Sequence, residues 1–148
     1  MVRIGMVNYI NVAPIYEVWK EQIFPAHWQV IEAQPSQLNV LLAEDGIDLG
    51  FVSSYAYAVQ PHRYQILADL SISATGSVGS VFLFSKVPPE QLHGKLVMLT
   101  GQSDTSIRLV KIILEEFYRV QPIYEVGEVY HSQDAQQRAS AVLAIGDD

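Results

Sequence analysis

The sequence predicts an α/β protein built in two lobes, and three observations carry that expectation. Strand and helix signals alternate as β-α-β-α-β from Val2 to Val52. The composition changes character at Val87-Pro88-Pro89-Glu90-Gln91, which places a lobe boundary there and divides the chain into 1–86 and 87–148. The last apolar run, Ala141 to Ile145, is followed directly by Gly146-Asp147-Asp148. A parallel strand wants cover on both faces, so the second lobe is expected to be incomplete and the chain to be a fragment.

Each element has its own local reason. Val2 to Val7 is a short apolar run of buried-strand type, and Pro14 to Gln22 opens on a proline where a helix tolerates one. Trp28 to Ala33 alternates as a second strand. Pro35-Ser36 starts a helix that gathers Leu38, Leu41 and Leu42 on one face and ends near Gly46, and Ile47 to Val52 reads as a third strand. Ile66 to Ile72 and Val78 to Phe84 are expected strands, the second reached through the Thr75-Gly76-Ser77 turn. After Lys95 to Leu99, a strand, Ser106 to about Arg119 reads as an amphipathic helix with Ile107, Val110, Ile113, Leu114 and Phe117 on its apolar side. Pro122 stops it. Ile123 to Val126 is read as a strand, Gln133 to Ser140 as a helix and Ala141 to Ile145 as the last strand.

Composition excludes several classes. With 148 residues, 49% of them hydrophobic, the chain is long enough to bury a real core. It has no cysteine, hence no disulfide and no thiolate metal site. The first residues lack the charged and apolar regions of a signal peptide, and no apolar run approaches the roughly 18 residues that span a bilayer. A cytoplasmic protein with no membrane association is expected. The net charge is −7 and the nine Lys and Arg are scattered, so phosphate backbones have nothing to grip and nucleic acid is excluded as a partner.

Four clusters have chemistry to offer, each with a plainer reading beside it. Asn8, Tyr9 and Asn11 come after the first strand, where open α/β sheets bind ligands, though amides in turns also cap backbone. Ser53-Ser54-Tyr55 comes after the third strand in the same way, and a hydroxyl at a helix start is ordinarily a cap. In Gly76-Ser77-Val78-Gly79-Ser80 the glycines admit a ligand close to the backbone, or merely turn the chain. Ser103-Asp104-Thr105-Ser106 precedes the strongest helix. Three hydroxyls where a cap needs one point to an anion held at the positive end of the helix dipole. A phosphate-binding loop, a dinucleotide fingerprint, a nucleophile elbow and a zinc-protease motif are all absent. His27, His62, His93 and His131 are isolated and read as surface residues, and Glu44-Asp45 and Glu115-Glu116 as solvated helix faces. Asp147 or Asp148, at a strand end, is the stronger acidic candidate.

The segments RIGMVNYINVAPI, QPSQLNVLLAEDGIDLGFVSSYAYA, LADLSISATGSVGSVFLFSK, SDTS and LAIGD, in that order, resemble the chorismate dehydratase family of menaquinone biosynthesis along essentially the whole chain. The resemblance implies a type II periplasmic-binding-protein-like fold, with two lobes of mixed sheet flanked by helices. It also implies a cytoplasmic lyase of the futalosine route that removes water from chorismate, with no cofactor and no metal. It further implies Asn11 and Asp147 as catalytic residues. Tyr9, Ser53, Ser54, Gly79, Ser80, Ser103, Thr105 and Ser106 become substrate contacts, with Ser80, Ser103, Thr105 and Ser106 on the carboxylates. Asn11 would orient the substrate, whose own enolpyruvyl carboxylate is a candidate proton acceptor. Ser77 stands where the family usually has proline, and Ala56 where an acidic residue is common. Family members are roughly twice as long, which adds homodimerisation through exposed sheet surface and doubtful activity to the expectations. Two other readings stay open: a non-catalytic small-anion binding module of the same fold, and the related 1,4-dihydroxy-6-naphthoate synthase.

Overall fold

The computed structural model describes residues 1–7, 9–21, 25–68, 70–127 and 137–146. By its contacts the chain divides into two compact units, Met1–Ala74 and Thr75–Asp148. The lobe boundary expected near Val87 therefore differs from the observed division, because the strand before it is hydrogen-bonded into the second sheet. Val87 and the two prolines lead instead into a 3-10 turn at Pro89–Gln91, inside the second unit.

In the first unit β1 (Val2–Val7) is the central strand, with β2 (Trp28–Ala33) on one side and β3 (Leu49–Gly50) on the other, all parallel. Helices α1 (Ala13–Glu21), α2 (Pro35–Ala43) and α3 (Ser54–Val59) come after the three strands in turn. Met6, Val7, Val12, Leu38 and Ile47 form the core, with Tyr16, Trp19 and Val30 packed around it. The third strand is much shorter than the apolar run predicts. Gly5 and Gly50 face each other in the β1–β3 register, and a Cβ on Gly50 would lie 2.7 Å from the Gly5 carbonyl oxygen. After Phe51 donates its N–H to that same carbonyl, the chain turns away to start α3.

One ion pair ties this sheet to the loop before β3. Asp48 Oδ2 accepts from the Arg3 backbone N–H at 2.6 Å and from Arg3 Nε at 3.2 Å, and Asp48 Oδ1 accepts from Nη2 at 2.8 Å. These bonds, the side-chain ones above all, lower the Asp48 pKa from 3.8 to about 2. A carboxylate lowered on folding adds stability that is present above its unfolded value and lost as pH falls through the folded one. The parent is expected to exceed Asp48→Asn in urea midpoint at pH 6, and the difference to close between about pH 4 and 2. A difference unchanged at pH 2 would assign the effect to something other than the carboxylate charge.

The second unit is a four-stranded sheet in the order β4-β7-β5-β6, formed by β4 (Val81–Ser85), β5 (Leu96–Thr100), β6 (Ile123–Gly127) and β7 (Ala141–Ile145). Only the β4–β7 pair is antiparallel. Val97, Leu99, Ala141 and Leu143 point to one face, where they pack with Val110 and Leu114 from the helical segment between β5 and β6. On the other face of β4, Phe82 and Phe84 remain 49% and 61% exposed, with ring centroids 5.7 Å apart.

That helical segment corrects the predicted one. Helix α4 (Asp104–Ile112) passes into a π-helical turn at Ile113–Phe117, closed by Tyr118 N–H donating to the Ile113 carbonyl. The wider i→i+5 spacing breaks the 3.6-residue phase. Leu114 stays fully buried while Phe117, predicted on the apolar side, is 77% exposed. Among the described residues of the strand predicted at Ile66 to Ile72, 66–68 and 70–72, none is in a strand; they are irregular and exposed, with Ile66 and Leu70 at 68% and 56%. The strand predicted from Val78 starts at Val81. Of the helix predicted from Gln133 to Ser140, residues 133–136 lie outside those described, and only 137–138 of the remainder are helical. Among the described residues no helix is long and apolar enough to cross a membrane.

Candidate functional site

In the first unit the three strands run parallel, so the segments after them all emerge at the same end of the sheet. Tyr9 comes after β1, Gln34 after β2, and Ser53 and Ser54 after β3. The Tyr9 hydroxyl donates to Gln34 Oε1 at 3.1 Å. Gln34 is itself fixed as the cap of α2, its N–H donating to Gln37 Oε1 at 3.2 Å in a reciprocal capping box. Asn11 belongs by its backbone to the 3-10 turn Ile10–Val12 that leads into α1. Asn8 and the Asn11 side chain lie outside the described part of the structure.

A pocket of about 210 Å³ opens here between the end of β1 and the first helix, lined by Val7, Tyr9, Val12, Tyr16 and Lys20 among others. Its polar wall is internally paired. The Tyr16 hydroxyl donates to Glu32, and Lys20 Nζ reaches Glu17 at 2.8 Å while standing 4.3 Å from the Tyr16 ring centroid. Holding the phenol proton against the Glu32 carboxylate pushes the Tyr16 pKa up to about 12. Tyr16 is therefore a neutral donor at physiological pH.

Ser53 acts as the cap of α3, its hydroxyl accepting from Ala56 N–H at 3.1 Å. The same hydroxyl accepts from Asn39 Nδ2 at 3.0 Å, and Asn39 Oδ1 accepts the Ser53 N–H at 3.1 Å. Ser54 is exposed beside it.

In the second unit Gly79, Ser80, Ser103, Thr105 and Ser106 all fall at the carboxyl end of β5 and β7. Ser80 precedes β4, which runs antiparallel to β7 with Val81 opposite Ile145, and its carbonyl accepts the Gly146 N–H at 3.0 Å. Gly79 has φ +74, and a Cβ there would meet nothing within 4 Å, so the glycine serves the turn rather than close contact within the chain. Ser103 caps α4 by accepting Ser106 N–H at 3.3 Å, and the hydroxyls of Ser103 and Ser106 are hydrogen-bonded at 3.1 Å. Asp104, in the first turn, already places a carboxylate in the dipole field. Below them Thr100 is 4% exposed, and its Oγ1 accepts the Gln102 N–H at 3.3 Å, which shapes the turn into the helix. Asp147 and Asp148 lie outside the described residues.

Gln34, Asn39 and Thr100 are the supporting residues that sequence reasoning missed. The one signal in the sequence was the capping spacing of Gln34 and Gln37, since the partners of Asn39 and Thr100 are set by turns whose geometry the sequence does not state. Elsewhere in the second unit Tyr124 is held neutral: burial raises its pKa first, and nearby Glu115 adds to the shift without an ordinary hydrogen bond to the buried hydroxyl. Lys111 Nζ stands 4.7 Å from its ring centroid.

The candidate residues thus form two hydroxyl-rich groups, each at the carboxyl ends of the strands of its own sheet. Residues 2–148 match the protein family described as menaquinone biosynthesis. The chain is 36% identical over 146 residues to the chorismate dehydratase of Thermus thermophilus, an alignment that takes in 97% of this chain and 50% of that protein. It therefore spans about half the length of that curated relative. A crystal structure of a protein from Archaeoglobus fulgidus shares the fold, with a TM-score of 0.72 at 17% identity over 97% of this chain and 53% of the other.

Proposed function

This chain belongs to the menaquinone-biosynthesis family, and from that membership we propose that the protein removes water from chorismate to give 3-[(1-carboxyvinyl)oxy]benzoate. The observation that carries the reading is the 36% identity to a chorismate dehydratase across nearly all of the chain. The two units are then the lobes of a type II periplasmic-binding-protein-like enzyme that works in the cytoplasm.

Chorismate is a dianion, and amides, hydroxyls and helix N-termini suit it where lysines are not clustered. Ser80, Ser103, Thr105 and Ser106 are assigned to its carboxylates, with Gly79 admitting the ligand to the backbone. Tyr9, Ser53 and Ser54 are assigned to the substrate from the first unit. The proton leaves the ring carbon that bears the ether, and its electron pair spreads through the diene toward the ring carboxylate. Donors aimed at that carboxylate therefore stabilise the carbanion as well as the substrate. Loss of the neighbouring hydroxyl as water completes the aromatic ring. Aromatisation makes the reaction strongly downhill, so the protein's task is to choose the elimination and fix its geometry.

Asn11 orients the substrate, since an amide is no ordinary base, and the enolpyruvyl carboxylate of the substrate takes the proton. Asp147 assists the departing hydroxyl. Incubation with chorismate, monitored by ultraviolet absorbance and product mass, is expected to show loss of one water; an unchanged spectrum and mass would count against the assignment. Asn11→Ala and Asp147→Ala are each expected to lower kcat by about 100-fold, the usual scale for an orienting or proton-donating group. Near-parental turnover in either variant removes that residue from the mechanism.

A further inference from the structure

We infer that Asn39 is a positioning residue that sets the polarity of the Ser53 hydroxyl, leaving it as a hydrogen-bond donor for a substrate carboxylate or carbonyl oxygen. The inference rests on the proposed role of Ser53 as a substrate contact.

A serine hydroxyl has one proton to give and two lone pairs to receive with. Ser53 spends both lone pairs inside the protein, on Ala56 N–H at 3.1 Å and on Asn39 Nδ2 at 3.0 Å. Its own proton has no acceptor among the described residues. Asn39 is only 9% exposed on α2, and its two amide ends engage the two polar groups of Ser53 at once, Nδ2 donating to the hydroxyl and Oδ1 accepting the N–H. An asparagine meets that pattern in one orientation. A helix-interior asparagine is otherwise unfavourable, because its side chain competes with the backbone for hydrogen bonds. With the lone pairs occupied, the half-buried hydroxyl faces any ligand as a donor, which suits an anionic oxygen and disfavours a ligand N–H or O–H.

Asn39→Asp separates this role from plain packing. It preserves the volume and the acceptor for Ser53 N–H, but it replaces the Nδ2 donor with a second acceptor, toward which the Ser53 proton then turns. Asn39→Asp and Ser53→Ala are each expected to weaken chorismate binding about 10-fold or more, read as KM and as the ligand-dependent melting shift. kcat should change less in both. The cycle is closed with the neutral Asn39→Leu, whose double variant with Ser53→Ala should bind no more weakly than Ser53→Ala alone, because leucine adds no charge to repel the dianion and both changes act on the same donor. Parental binding by Asn39→Asp beside a weakened Ser53→Ala, or effects that multiply in the double variant, would overturn the positioning role. If Ser53→Ala binds chorismate as the parent does, the substrate contact itself fails. A parent that neither binds nor turns over chorismate overturns the functional reading instead, and the role of Asn39 is then read without ligand. Amide exchange at Ser53 and Ala56 should be slower in the parent than in Asn39→Leu, and equal exchange would overturn the inference there too.

Discussion

Replacing Gly50 with alanine is expected to destabilise the first unit by about 2–3 kcal/mol, the upper part of the range for overpacking. The added methyl would stand 2.7 Å from the Gly5 carbonyl oxygen and 3.0 Å from Gly5 Cα, which is backbone rather than the movable end of a side chain. Gly5 cannot retreat freely, because its own Cα faces Ile47 Cδ1 and Leu38 Cδ2 in the core, where an added Cβ would lie 2.6 and 2.9 Å away. The two strands must separate, and the Phe51 N–H bond to the Gly5 carbonyl at 3.2 Å goes with them. Urea unfolding monitored by tryptophan fluorescence reads this unit directly, since the two tryptophans, Trp19 and Trp28, both belong to it. A midpoint equal to that of the parent would mean that β1 and β3 slide apart without cost.

Leu99→Ala is expected to cost about 3–4 kcal/mol in the second unit, within the usual range for emptying a buried leucine site. Leu99 is fully buried on β5, a strand flanked by β7 and β6, and shares its core with Leu92, Val110, Leu114 and Leu143. Partners on both flanking strands and on the helix restrict collapse into the vacated space, so most of the cavity persists. Hydrogen exchange at the β5 and β7 amides is the appropriate measure. Protection unchanged from the parent would show that the neighbours close the gap.

The strands that bury continuous apolar runs were legible from sequence. Val2–Val7 and Ala141–Ile145 agree residue for residue, because burial leaves few alternatives, and the alternating Trp28–Ala33 agrees as well although none of its residues is fully buried. Ile66 to Ile72 is also rich in apolar residues, yet its described residues are irregular, since an apolar pattern supplies a face but not a neighbouring strand. Ile47 to Val52 lost most of its length because only Leu49 and Gly50 pair with β1. Phe117 was placed on the wrong side for a different reason: a π-helical turn shifts the phase of a pattern that is otherwise helical. The hydroxyls of Ser53 and Ser103 were legible through their capping positions. Asn39 was not, because a polar residue inside a helix reads as solvent-facing until the fold brings Ser53 against it, 14 residues away.

The bare aromatic pair on β4 makes the colloidal behaviour of this protein a contest between two ranges of force. A formal charge of −7 keeps molecules apart over distances set by the ionic atmosphere, roughly 30 Å in dilute buffer and 10 Å at 0.1 M salt. Phe82 and Phe84 attract only at contact. Added salt shortens the repulsion without weakening the contact, so this protein keeps best in dilute, mildly alkaline buffer.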